Sequence, residues 1–300
     1  MPPELVVLGN LLVDDLAFSD GRTRMAEPGG AVLYAALAAR LWNISVGAAS
    51  VRGDDYPAWA WDALRARGVD LAGVRALGRP GLRTWLLYEE RLRQVVHRLE
   101  RPSHAEVSPG AADIPSDWRA ARVFHIAPMP LPVQRELVAS LSTIEGSFVS
   151  LDPYELFRRD TLDAWRDVLP GVDALFVSED ELLVGSGAEG ALAVLLPVAG
   201  ERLRAVAFKG GVRGGLLYER SSGRRVPWSA RSAAVVDPTG AGDAFAAGVI
   251  AGWLRGEPAE RALQRGIVGA SFALEAWGPR RLIETTAAEA EARLADWYGT

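Results

Sequence analysis

The chain has 300 residues, 49% of them hydrophobic and 24% charged, with a net charge of −5. That length suffices to bury a large core in one domain, and no basic run is present for nucleic acid to bind. Cysteine is absent, which excludes disulfides and thiolate metal sites, and no apolar stretch reaches the ~18 residues needed to span a bilayer.

In chain order, Leu5–Gly9 reads as a short buried strand, and Ser19-Asp20-Gly21 as a hairpin turn within a mixed segment. An Ala-rich helix runs from Gly29-Gly30 to about Trp42, and a strand spans Ile44–Val51. Asp54-Asp55-Tyr56-Pro57 is read as the cap of the next helix, which ends near Gly68. Thr84–Tyr88 and Arg93–Leu99 read as paired strands joined through 89–92. Val123–Ala127 is a strand, followed by a helix after Pro130. Phe148–Leu151 ends at Asp152-Pro153. Ala174–Val177 leads into the acidic Glu179-Asp180-Glu181, read as a helix start. Ala205–Phe208 precedes Gly210-Gly211, and a hairpin turns at Ser221-Ser222-Gly223. The last ~60 residues read as helical, broken at Gly278-Pro279. Strands alternating with helices predict a mostly parallel sheet covered on both faces, a three-layer α/β/α arrangement. The extra hairpins at about 10–28 and 84–100 do not fit that alternation. They are expected to form a small β lid over the sheet's carboxyl edge, within a single domain of residues 1–300.

The N-terminus Met1-Pro2-Pro3-Glu4 shows no signal-peptide pattern, so a soluble, cytoplasmic protein is expected, with neither membrane nor nucleic acid as partner. His97, His104 and His125 lack metal-ligand spacing and are read as surface or core residues. There is no Gly-x-x-x-x-Gly-Lys-[Ser/Thr] phosphate loop and no Gly-x-Ser-x-Gly elbow. The segment Gly240–Phe245 fails the dinucleotide fingerprint, because Phe245 stands where a small residue is required.

The richest stretch is Val235–Ile250. Two valines lead into Asp237; Thr239-Gly240-Ala241-Gly242 makes a tight loop; Asp243 opens a helix. Small residues let backbone N–H groups converge on an anion at a helix N-terminus. A carboxylate beside such an anion hole would repel a phosphate, and it suits a general base for a hydroxyl attacking that phosphate. This stretch resembles the Asp-Thr-x-Gly-Ala-Gly-Asp-x-Phe signature of the PfkB (ribokinase) family of carbohydrate kinases, with Pro238 preceding Thr239. The resemblance implies that Gly240, Ala241 and Gly242 hold the transferring phosphoryl and that Asp243 is the catalytic base. It also places Asp237 and Thr239 near the phosphates, in a loop that often carries a monovalent cation such as K+.

Other segments extend the resemblance. Gly9-Asn10-Leu11-Leu12-Val13-Asp14 places an acid five after the glycine, where the family binds sugar hydroxyls, and a carboxylate accepts two hydroxyls at once. Gly29-Gly30 resembles the family's substrate motif, with Tyr34 where many members have Asn. These imply Asn10, Asp14, Gly29, Gly30 and Tyr34 on the acceptor side. Gly53-Asp54-Asp55 and Gly68-Val69-Asp70 are read as structural matches. Asp152-Pro153-Tyr154 resembles Asp-Pro-Asn. Ser178–Glu181 resembles Asn-x-x-Glu, which makes Glu181 a candidate for ordering Mg2+, although the same spacing is a capping box. Lys209-Gly210-Gly211-Val212-Arg213-Gly214 resembles the nucleotide loop. With Gly269-Ala270-Ser271-Phe272 it would flank the adenine of ATP, making Lys209, Gly211, Gly214 and Ala270 nucleotide contacts.

The resemblance therefore implies an ATP- and Mg2+-dependent kinase of a sugar or polyol hydroxyl, on a ribokinase-like fold. Tyr34 and Leu12 depart from ribokinases proper, and the combination is similar to the myo-inositol kinase branch. A nucleoside acceptor remains open, with Tyr34 and Trp85 available to stack, as does a non-catalytic sugar or nucleotide sensor. The hairpins argue against vitamin kinases of the wider superfamily. The lid edge is a candidate surface for a homodimer.

Overall fold

In the computed structural model, residues 1–89, 92–185 and 187–299 are described. Among the described residues thirteen strands form two sheets. They are β1 Leu5–Leu8, β2 Leu12–Phe18, β3 Thr23–Gly29, β4 Val46–Arg52, β5 Asp70–Ala76, β6 Arg83–Glu89, β7 Leu92–His97, β8 Val123–Ile126, β9 Phe148–Leu151, β10 Ala174–Ser178, β11 Ala205–Lys209, β12 Gly215–Glu219 and β13 Arg224–Trp228. The large sheet has the order β13-β12-β11-β10-β9-β8-β1-β4-β5. It is parallel from β11 to β5, and at the other edge β12 runs antiparallel to both of its neighbours, β11 and β13.

Why the sheet is covered on both sides is visible in β1. Leu5 and Val7 enter one apolar cluster, and Val6 and Leu8 enter the other. Side chains alternate with period two, so an unbroken apolar run requires a helix layer on each face. One layer includes the helices Ala31–Arg40, Ala241–Leu254 and Ala259–Leu274; the other includes Leu131–Leu141 and Gly187–Leu195. Among the described residues no helix is long and apolar enough to cross a membrane.

The second sheet, of order β3-β2-β6-β7, gathers the two hairpin segments. The residues joining β6 to β7 lie outside the described ones. Its strands are in register, so Asp14, Thr84 and His97 make one cross-strand row, and Phe18, Tyr88 and Arg93 another, all on one face. That face looks toward the large sheet: Tyr88 reaches Thr239, and His97 reaches Tyr154. Asp15 and Arg83 share the opposite face.

Three local expectations are corrected. The helix Ala58–Ala66 begins at Pro57 with no side-chain cap. Asp55 instead accepts from Gly81 N at 2.7 Å and pairs with Arg101. Glu179–Glu181 forms a single 3-10 turn, and the next helix starts only at Gly187. Asp70–Ala76, not read as a strand, is the half-exposed edge strand β5, and edge position explains its weak apolar pattern.

Candidate active site

Gly240 caps the helix Ala241–Leu254 in the left-handed conformation, φ +77°. A Cβ there would lie 2.1 Å from the Tyr34 ring, so only glycine lets the chain turn on that ring. Tyr34 is accordingly buried at 2% exposure and serves as the floor of the loop. The turn leaves the first N–H groups of a fourteen-residue helix without helical partners, although Ala241 N donates to the Pro238 carbonyl at 3.3 Å.

Asp243 stands in the first turn of that helix. Desolvation pushes its carboxyl up to about 6; Lys209 and Arg93 oppose the shift and Glu181 adds to it. Lys209, at the end of β11, brings its Nζ to 3.6 Å from where a Gly242 Cβ would stand. The same ammonium donates to Asp152 Oδ2 at 2.6 Å. Asp152 is sealed from solvent, and its Oδ1 has no partner. Burial pushes Asp152 up and Lys209 pulls it back, while Asp152 and Glu181 help keep Lys209 charged. Glu181 Oε2 accepts from Ser178 N at 2.7 Å, so the capping box forms while the carboxylate still acts on this cluster.

The Asp237 carboxylate is engaged inside the loop. Oδ1 accepts from Thr239 N at 2.9 Å and from Thr239 Oγ1 at 2.6 Å, and Oδ2 accepts from Gly278 N at 3.0 Å. Asp237 thus shapes the loop, and its carboxylate bonds to the protein's own donors.

Across the gap is the small sheet. Asp14, 3% exposed, has no partner for Oδ1. Burial pushes it up to about 8; Arg93 opposes the shift, and Asp237, Asp15 and Asp243 add to it. A Cβ on Gly29 would lie 1.9 Å from Asp14 Oδ2, so the glycine makes room for the carboxyl. Gly30, φ +99°, lets the chain pass the Asn10 carbonyl. Asn10 itself donates to Val107 O at 2.8 Å and Ser108 Oγ at 3.1 Å, and its Oδ1 meets His104 Nε2 at 2.8 Å. Asn10 therefore fastens the 104–108 loop to the end of β1.

Residues not singled out for this side complete it. Thr84 Oγ1 lies 3.3 Å from His97 Nδ1, and His97 Nε2 lies 3.2 Å from the Tyr154 hydroxyl. The His104 ring meets Tyr154 edge-on at 4.6 Å. Burial lowers His104 to about 4, so this ring is neutral at working pH. The alternation of β6 and β7 was the available signal for Thr84 and His97; nothing local marks His104. His125 is a core residue, fully buried against Ser150 and Phe176.

In the 209–214 loop, Gly211 and Gly214 both have positive φ, and Gly210 N donates to Gly214 O at 2.7 Å, closing a tight turn. A groove of about 460 Å³ abuts it, lined among others by Glu179, Leu182, Phe208, Arg213 and Gly215. None of its lining comes from 269–272; Ala270 sits half-buried on the helix Ala259–Leu274.

Among the described residues no three acidic or imidazole groups gather as a ready metal site. An oxygen-rich cluster with one lysine suits a phosphate-bound divalent ion that keeps most of its water. The arrangement as a whole can hold an anion at a helix N-terminus, place a base with a raised pKa beside it, and present a second buried carboxyl opposite.

The family described as pfkB family carbohydrate kinase matches residues 4–286. A cytidine kinase of Thermococcus kodakarensis is 31% identical over 280 residues, covering 92% of this chain and 97% of that protein. A fructokinase of Escherichia coli is 28% identical over 84% of this chain and 85% of its own length. The structure of a candidate Ribokinase II from E. coli, solved with ATP and Mg2+, superposes with a TM-score of 0.76 at 23% identity. It covers 99% of this chain and all of that one.

Proposed function

The chain belongs to the PfkB family of carbohydrate kinases, and on that footing we propose that it transfers the γ-phosphoryl of ATP to a hydroxyl of a nucleoside or sugar. The observation that carries the reading is Asp243. It opens the glycine-loop helix, its pKa is raised to about 6, and a lysine ammonium stands beside the neighbouring Gly242.

Asp243 takes the proton of the acceptor hydroxyl as that oxygen attacks the γ-phosphorus, and the bond from phosphorus to the bridging oxygen of ADP breaks. The N–H groups of Gly240 and Gly242, joined by that of Ala241 once it leaves the Pro238 carbonyl, stabilise the charge on the transferring group, with Lys209 adding a fixed positive charge. Asp152 orients Lys209 through the 2.6 Å ion pair. Glu181 and the free oxygen of Asp152 would hold Mg2+ through its waters; the ion supplies positive charge to the phosphate oxygens. Gly211 and Gly214 flank the nucleotide, and Ala270 borders its base. The loop around Asp237 would hold a monovalent cation, the Asp237 carboxylate itself being bonded to Thr239 and Gly278. The small sheet acts as the lid of a single domain, its edge a homodimer surface.

Asp14 accepts hydroxyls of the acceptor. We favour a nucleoside, because His97, His104 and Tyr154 line the side next to Asp14 with planar rings and hydrogen-bonding edges, and because a cytidine kinase is among the similar proteins. A ketose is the second reading, supported by the similar fructokinase. The relatives lend nothing to a myo-inositol acceptor, and the intact Asp243 loop speaks against a sensor without activity. The test is ADP release from Mg-ATP with cytidine, adenosine, fructose, ribose and myo-inositol, beside Asp243→Asn. Stimulation by cytidine or adenosine that vanishes in the variant is the expected result. Stimulation by fructose alone would replace the nucleoside reading, and turnover surviving in Asp243→Asn would sink the base assignment.

A further inference from the structure

The Tyr88 hydroxyl sits on the inner face of the small sheet, 2.8 Å from Thr239 Oγ1, the residue that enters the glycine loop. Thr239 has one hydroxyl proton. At 2.6 Å that proton goes to Asp237 Oδ1, a carboxylate that also takes N–H groups from Thr239 and Gly278. Tyr88 is therefore the donor and Thr239 the acceptor. A one-directional chain results: Tyr88 to Thr239 to Asp237, with Gly278 closing from the far side.

A second arm runs parallel to it. The Tyr88 ring stacks on Phe18 at 4.8 Å, and Phe18 meets Trp277 edge-on at 5.4 Å. Trp277 precedes Gly278, so both arms end on the same turn. The glycine loop is thus fixed from below by the Tyr34 ring against Gly240, and from above by the small sheet through Thr239. Asp14 is two cross-strand rows away from Tyr88 on the same face. Burial pushes the Tyr88 phenol up to about 12, so it stays a neutral donor throughout the working range.

We propose that Tyr88 is a positioning residue for phosphoryl transfer: by donating to Thr239 it sets the glycine loop only when the small sheet, with its acceptor-binding Asp14, is docked. The inference rests on the reading that this loop holds the transferring phosphoryl.

The experiment compares the full-length protein with Tyr88→Phe, Thr239→Val, both together, and Thr239→Ser. It measures kcat and the acceptor KM with cytidine or whichever acceptor stimulates the wild type. Loss of one hydrogen bond predicts kcat lower by about 3- to 10-fold in each single variant, with acceptor KM moving less than kcat. Thr239→Ser, which keeps the hydroxyl, should recover the wild-type rate, and the double variant should be no slower than the slower single one. A Tyr88→Phe enzyme with unchanged kcat, or losses that multiply in the double variant, would overturn the proposal. Tyr88→Phe keeps the ring on Phe18, so if Thr239→Val does not fold, the pair Tyr88→Phe and Thr239→Ser still decides. An active Asp243→Asn would overturn the loop's assignment itself, a failure separate from that of Tyr88.

Discussion

Asp14 and Asp15 are neighbours on β2, both sealed from water, and they point to opposite faces of the same small sheet. Asp15 is held by Arg83 at 2.8 and 2.7 Å, by Arg98 at 2.8 Å and by Ala26 N at 2.9 Å. These partners outweigh its desolvation and keep its pKa below the usual value. Asp14 has no ion-pair partner among the described residues, and burial drives it to about 8. One carboxylate is saturated by the fold and the other waits for donors the fold does not supply. The contrast separates structural from working acids: burying a charge is tolerable when it is paired, and an unpaired one is a cost retained for function.

Asp243 belongs with Asp14 in this scheme, since it too lacks an ion-pair partner among the described residues. Removing it should do the most damage: Asp243→Asn should lower kcat by roughly 10²–10⁴ while leaving ATP binding intact, measured by initial rates and by nucleotide titration. Assayed above pH 8, where Asp14 is ionised, Asp14→Asn should raise the acceptor KM about 10- to 100-fold, the worth of a charged hydrogen bond, with a smaller effect on kcat. The same variant should not lose stability. Asp14 binds its proton more tightly in the folded state than in the unfolded one, so its contribution is most favourable below about pH 4 and is lost as pH rises toward 8. The melting temperature of Asp14→Asn relative to wild type should therefore climb across that window.

Asp15→Asn should behave in the reverse way. Two part-exposed arginines lose their shared partner, and stability should fall by about 1–3 kcal/mol in denaturant titration, with kcat of the folded protein unchanged. If Asp15→Asn instead raised the acceptor KM as Asp14→Asn does, the division between the two faces would fail. The finest test is the pH profile. Plotted against pH, kcat/KM for the acceptor should rise through about 6 as Asp243 ionises and again through about 8 as Asp14 does. Asp14→Asn should erase only the upper step.

How much of this was legible in the sequence follows from the range of the interactions. The run from Asp237 to Phe245 is local: its glycines, its helix start and its acid are consecutive, so a reader of the chain meets the whole device at once. The alternating strands of the two sheets were legible for the same reason, as was the hairpin origin of the small sheet. The Asn10 amide bonds to Val107, Ser108 and His104, partners 94 to 98 residues distant. The Tyr34 ring supports Gly240, a contact across about two hundred residues. Tyr88 and Thr239 are 151 residues apart. Side-chain hydrogen bonds of that span have no periodicity to betray them. Asp55 and Glu179 misled in the opposite direction, because an acid before an apolar segment signals a helix start unless a distant partner claims it. For Asp55 that partner is Gly81 N; for Glu179 it is Arg213.

The bracing of the small sheet has a mechanical consequence. Asp15, with two arginines and the bulge at Ala26, ties β2, β3, β6 and the chain just past β7 across the middle of the sheet. Among the described residues its seams with the rest of the molecule include Tyr88 to Thr239, His97 to Tyr154, Arg22 to the Val236 carbonyl, Glu27 to Arg280, and Phe18 against Trp277. A plate stiffened at its centre and pinned at its rim yields at the pins. Thermal or ligand-driven strain in this protein should therefore appear as tilt of an undeformed plate, with its own backbone amides exchanging slowly whichever way it leans.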